Sequence, residues 1–178
     1  MRAYSSIDVM SEYLERPSGF IANLIWSMSK SAKVQLEITI PKRLFLKGEL
    51  ITETVREETE KAFSYSDLVD LLVKELLSYY HHQTNPLKLY RVFQEISSSF
   101  IITRYYNDSK DELTKVKVAL RKSDVFKLEM LLADIEEVEG EHDLTVERVL
   151  ELHYVNYMFD LLQGNNDESV SRIIKEII

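Results

Sequence analysis

Four histidines and no cysteine bound the chemistry open to this 178-residue chain. Thiolate nucleophiles, thiolate metal sites and disulfides are excluded outright. His81, His82, His142 and His153 include no HExxH pair, so the helical zinc motif is absent. Glu139 and His142 have the ExxH spacing of carboxylate-bridged di-iron bundles. That chemistry needs two such motifs and two further glutamates, and this one straddles Gly140. None of the four glycines makes GxxxxGK[ST], GxGxxG or GxSxG, so phosphate loops and serine-nucleophile elbows have no support. The sequence therefore predicts no enzyme, no metal and no cofactor.

Three groups of residues remain as binding candidates. The first is apolar: Trp26, the only tryptophan, with Val34 and Leu36, as anchors for a partner protein. The second is basic: Lys30, Lys33, Lys42, Arg43 and Lys47, as a phosphate-binding site for nucleic acid. The third is His81, His82 and Tyr90, as the polar lining of a small-ligand pocket between helices.

Charge weighs between them. Seven basic against four acidic residues precede Glu49, a net of +3 in a chain whose total is −8, which leaves −11 for the remainder. An acidic body disfavours nucleic acid as its partner, because such binding draws on Lys and Arg. With 45% hydrophobic and 29% charged residues the composition is globular. No signal-like leader and no membrane-length apolar run occurs, and a cytoplasmic location is expected. The first expectation is thus a small regulatory or adaptor protein that binds another protein. The alternatives are a nucleic-acid-binding transcriptional regulator using residues 30–47, and a ligand sensor using the histidines.

The elements that must position these residues are mostly helices. Ser66 to Tyr80 is apolar over more than half its circumference, with Ser66 as N-cap, and belongs at the centre of the core. Phe20–Met28 predicts a helix that buries Phe20, Ile21, Leu24, Ile25 and Met28 and leaves Trp26 to the side. Further helices are expected at 6–15, 50–63, 86–105 with a bend at Ser97–Ser99, 109–120 behind a Ser109–Glu112 capping box, 123–135, 145–163, and a last one from Asp167. No second copy of any unit is visible at a fixed period.

Strand character appears once. Val34, Leu36, Ile38 and Ile40 alternate with Gln35, Glu37 and Thr39, and Arg43–Lys47 is read as the returning strand. The fold class is therefore mainly α, a single domain over 1–178 of about eight helices with one two-stranded β-ribbon near residues 34–47. An uncovered strand edge also suggests pairing across a homodimer.

Leu36–Pro41 followed by Phe63–Val69 resembles the ribbon-helix-helix proteins, in which a dimeric two-stranded ribbon enters the major groove of DNA. Two features depart from that pattern. Glu37 falls on the outward side of the strand, and the connection from Pro41 to Ser64 exceeds the single short helix of that family. The likeness covers a small part of the chain, and no family is assigned on it.

Overall fold

In the computed structural model, which describes residues 2–82, 85–107, 112–163 and 173–175, the alternating segment forms strand β1 (Lys33–Pro41). Leu36, Ile38 and Ile40 are buried beneath it, while Lys33, Gln35 and Glu37 face outward. Its partner is not residues 43–47. β1 pairs antiparallel with β2 (Leu113–Arg121), in a register running from Lys33↔Arg121 through Glu37↔Lys117 to Pro41↔Leu113.

Two expectations are corrected here. Arg43–Lys47 lies in the first turns of helix α3 (Lys42–Thr59), and of the helix expected at 109–120 the residues 113–120 form a strand. Leu113, Val116 and Leu120 have helical spacing, but Thr114, Val116, Val118 and Leu120 also alternate, and β-branched residues suit a pleated, half-buried surface. Ser109, the first residue of the expected capping box, lies outside the described residues.

Each strand runs directly into a long helix and then a second one. β1 leads to α3 and α4 (Tyr65–His82); β2 leads to α7 (Lys122–Glu139) and α8 (Val146–Leu162). The two units stand 80 positions apart, strand on strand (33 and 113) and helix on helix (42 and 122). An internal repeat is therefore present where none was visible in the sequence. Ile38 and Val118, Ile40 and Leu120, Thr52 and Leu132, and Val55 and Ile135 are buried at corresponding positions.

Corresponding bonds also close the two ends of the ribbon. Lys42 N–H donates to the Glu112 carbonyl at 2.7 Å, and Lys122 N–H to that of Ala32 at 2.9 Å. The second helices cross over, each touching the other unit's strand. Ser66 Oγ of α4 accepts from Ala119 N–H of β2 (3.1 Å), and Glu151 Oε1 of α8 accepts from Thr39 N–H of β1 (2.8 Å). The Tyr106 hydroxyl donates to the Thr39 carbonyl at 3.0 Å, so this stretch of the β1 edge is satisfied within the chain. The pairing proposed across a homodimer is supplied by residues 113–121 of the same chain.

Ser66 is thus no helix cap. Ser64 caps α4 instead, its hydroxyl donating to Asp67 Oδ2 at 2.6 Å while its own amide donates to the same oxygen at 2.8 Å. Asn85 caps α5 (Pro86–Ser98) through Leu87 N–H, and the expected bend falls at Ser99, ahead of α6 (Phe100–Ile102) and a π-helical turn, Thr103–Asn107. Thr145 caps α8 through Arg148 N–H, and Gly140 ends α7. The expected last helix falls largely outside the described residues, of which Ile173–Lys175 are helical.

An N-terminal arm, α1 (Val9–Leu14) and α2 (Phe20–Ser29), lies on α7. Glu129 of α7 is fully buried and accepts hydrogen bonds from the Ser5 hydroxyl and from the amides of Val9 (3.0 Å) and Met10 (2.6 Å), the first turn of α1. Tyr13, Trp26 and Phe126 pack tilted or edge-on, with centroid distances of 5.0 Å (Tyr13–Trp26), 5.0 Å (Tyr13–Phe126) and 5.8 Å (Trp26–Phe126). One continuous core, from Tyr4 to Ile173, joins the arm to both units. Among the described residues no helix is long and apolar enough to cross a membrane.

Candidate nucleic-acid interface on the ribbon

The period of two that buries one face of the ribbon turns the other outward. That outer face carries Lys33, Gln35, Glu37 and Thr39 from β1, and Lys115, Lys117, Ala119 and Arg121 from β2. Four cations stand against one carboxylate, on a chain whose total charge is −8. The strands span about 30 Å at roughly 3.3 Å per residue, and an antiparallel pair with its side chains is about as wide as the ~12 Å major groove of B-DNA.

The single carboxylate sits at the middle of the face. Lys115 Nζ reaches Glu37 Oε1 at 2.7 Å, diagonally across the strands. That hydrogen bond, and then the charge attraction, hold Glu37 below the usual carboxylate range and raise Lys115 above the usual lysine value. At one end of the ribbon Lys33 lies 3.8 Å from Asp67; at the other Lys42 bonds Glu112 at 2.7 Å.

Of the five basic candidates, Lys33 lies on this face. Lys30 is exposed just before β1, Lys42 and Arg43 are exposed at the start of α3, and Lys47 is half-buried further along that helix. Lys115, Lys117 and Arg121 were missed, because their segment was read as a helix. The signal that would have found them is the alternation Thr114, Val116, Val118, Leu120 with cations between.

The apolar candidates lie inside. Trp26 is 8% exposed and Leu36 1%, while Val34 is half-buried on the inner side of β1. The helix expected to bury Phe20, Ile21, Leu24, Ile25 and Met28 does the reverse and exposes all five. Among the pocket candidates His81 is exposed against the Tyr80 ring (5.8 Å), and Tyr90 packs on His142 (5.9 Å); the His82 side chain lies outside the described residues. His142 is buried with both ring nitrogens engaged, Nδ1 accepting from Leu144 N–H (3.2 Å) and Nε2 bonded to the Leu132 carbonyl (3.0 Å). Neither nitrogen is left to ligate a metal beside Glu139.

No family model, no curated protein and no solved structure matches this chain.

Proposed function

We propose that the protein is a DNA-binding regulator that acts by binding and not by catalysis, laying the outer face of the β1–β2 ribbon in the major groove of duplex DNA. The observation that carries this reading is the charge of that face: Lys33, Lys115, Lys117 and Arg121 against Glu37 at its middle and Asp67 beside Lys33 at one end. The connectivity supports it. Strand, helix and helix, given twice about one antiparallel ribbon, follow the arrangement that ribbon-helix-helix proteins reach with two chains. The long connection from Pro41 to Ser64 is the single helix α3 and a short loop. The acidity of the body, which disfavoured nucleic acid in the sequence, does not extend to this face.

The test is fluorescence anisotropy of a labelled random-sequence duplex titrated with protein. Four phosphates neutralised by four cations give a slope of about −3.6 in log K against log salt, so binding weakens about 10²-fold between about 50 and 200 mM. K117Q/R121Q, at exposed positions and without setting a further carboxylate opposite Glu37, should leave the fold intact and weaken binding at least about tenfold. Absence of binding at low salt, or binding by the double variant equal to wild type, overturns the reading. A second reading, an adaptor that acts by protein–protein contact, is favoured by one observation, the exposed apolar side chains of α2.

A further inference from the structure

We infer that α2 is a self-association surface, through which two copies of this chain pair antiparallel. Phe20 is 81% exposed, Ile21 72%, Leu24 49%, Ile25 63% and Met28 72%, and no charged residue occurs between Phe20 and Ser29. The face cannot turn inward to hide them. Trp26, on the opposite side of the helix, is locked between Tyr13 and Phe126. The end of α2 is tied to the second unit by Ser123 N–H on the Lys30 carbonyl (3.2 Å) and by Lys122 N–H on that of Ala32. Rotating α2 would exchange a packed tryptophan for the five exposed residues.

The area of the face, and the absence of charge from it, name the occupant. At these exposures the five side chains present roughly 600 Å², as much as the largest apolar patch of an ordinary monomer. Pairing two such faces removes at most about 1,200 Å² from these side chains, which reaches the lower bound of a stable specific interface. In an antiparallel pair centred on Leu24 and Ile25, Ile21 of one copy meets Met28 of the other. The face is complementary to itself, as an isologous contact requires. Between α1 and α2 an open groove of about 830 Å³, lined by Arg16, Phe20, Ile21, Ile25 and Trp26, receives the partner's side chains. A bilayer is the poorer occupant, since Glu12 and Glu15 border the groove and the chain carries −8.

The inference stands whether or not the ribbon binds DNA. Sedimentation equilibrium of the full chain from about 1 to 100 μM should give a mass that rises to twice 20.9 kDa. I21E/I25E should hold the mass at 20.9 kDa with an unchanged far-ultraviolet circular dichroism spectrum, since both positions are exposed. A wild-type chain that stays monomeric throughout, or an I21E/I25E variant that still doubles, overturns the inference. So does a monomer that co-floats with phosphatidylserine vesicles and loses that property on I21E/I25E, which would assign the face to lipid.

Discussion

Gly48 lies in the interior of α3, where alanine would ordinarily add about 1 kcal/mol of helix stability. Here the sign reverses. A β-carbon at Gly48 would sit 2.3 Å from the Tyr154 hydroxyl and 2.9 Å from Cε2 of Tyr65. Tyr154 is 1% exposed, its ring lies 5.6 Å from that of Tyr65, and its hydroxyl donates to the Leu44 carbonyl at 2.9 Å. The methyl group can enter only if the phenol gives way. That movement forfeits a hydrogen bond of about 1 kcal/mol and adds an overpacking cost of about 1–3 kcal/mol. Gly48→Ala should therefore destabilise by about 1–3 kcal/mol after the propensity gain is subtracted. Tyr154→Phe removes the atom at 2.3 Å and leaves its ring carbon at 3.4 Å, an ordinary contact, with Tyr65 Cε2 still at 2.9 Å, so Gly48→Ala should cost less, but not nothing, in the phenylalanine background. Urea unfolding of the four proteins followed by circular dichroism gives the coupling, expected near 1–2 kcal/mol. Stabilisation by Gly48→Ala in the wild-type background, or additive effects in the cycle, would refute the close α3–α8 approach as the reason for the glycine.

Glu37→Gln removes the one carboxylate of the ribbon's outer face and releases Lys115; both are exposed, so anisotropy should show several-fold tighter binding to DNA with melting unchanged. Unaltered affinity would mean that duplex phosphates do not approach this face. Glu129→Ala strands the hydroxyl of Ser5 and the amides of Val9 and Met10, a loss of about 3–9 kcal/mol at about 1–3 per buried group, with Trp26 fluorescence shifting red as the arm leaves α7. Glu129 also carries a pH dependence: burial, outweighing those hydrogen bonds, raises its carboxyl above the ordinary 4.5. A raised folded-state pKa stabilises below the unfolded value and is lost as pH rises through the folded one. The stability of wild type relative to Glu129→Gln should then fall from about pH 4 towards neutrality, and a flat difference would rule out burial as the controlling cause.

Local chemistry was legible in the sequence wherever a few adjacent residues decide it. The alternation Val34–Ile40, the Asn85–Pro86 cap, the Ser99 break, Gly140 and Thr145 are all found where their side chains require. What failed depended on residues far away in the chain. The period of α2 gave the helix but inverted its buried face, because Phe126 and Tyr13 claim Trp26, and the five apolar residues opposite meet no core. The same failure hid both candidate surfaces. Lys115, Lys117 and Arg121 were read as belonging to a helix, and the α2 face was read as core. The repeat was hidden for another reason. Residues 33–59 and 113–139 coincide only at Lys42/Lys122, Lys47/Lys127, Glu49/Glu129 and Glu57/Glu137. Where shapes must fit, the halves differ in volume: Gly48, against which Tyr154 packs, stands where α7 has the buried Leu128. Self-comparison by residue identity cannot detect such a pair, whereas burial can.

The same divergence explains why the two units belong in one chain. The pseudo-twofold axis passes through the register pair Glu37↔Lys117, and these two residues are also 80 positions apart. Were either unit to pair with a copy of itself, the axis would set glutamate against glutamate or lysine against lysine. Like charges directly opposite on a ribbon are destabilising. Joined in tandem, the central pair is opposite in sign, and Lys115 adds a diagonal hydrogen bond to the same carboxylate. The exchange of second helices points the same way. Thr39 N–H is satisfied by Glu151 of the other unit and Ala119 N–H by Ser66, and a copy of the first unit placed against itself would offer a serine hydroxyl, not a glutamate, to Thr39. Each half has come to complete the other and is no longer suited to complete itself. The ribbon consequently presents different residues on its two strands, Lys33, Gln35, Glu37 and Thr39 with no net charge beside the cationic Lys115, Lys117 and Arg121, so a duplex bound as proposed would meet two unlike half-surfaces.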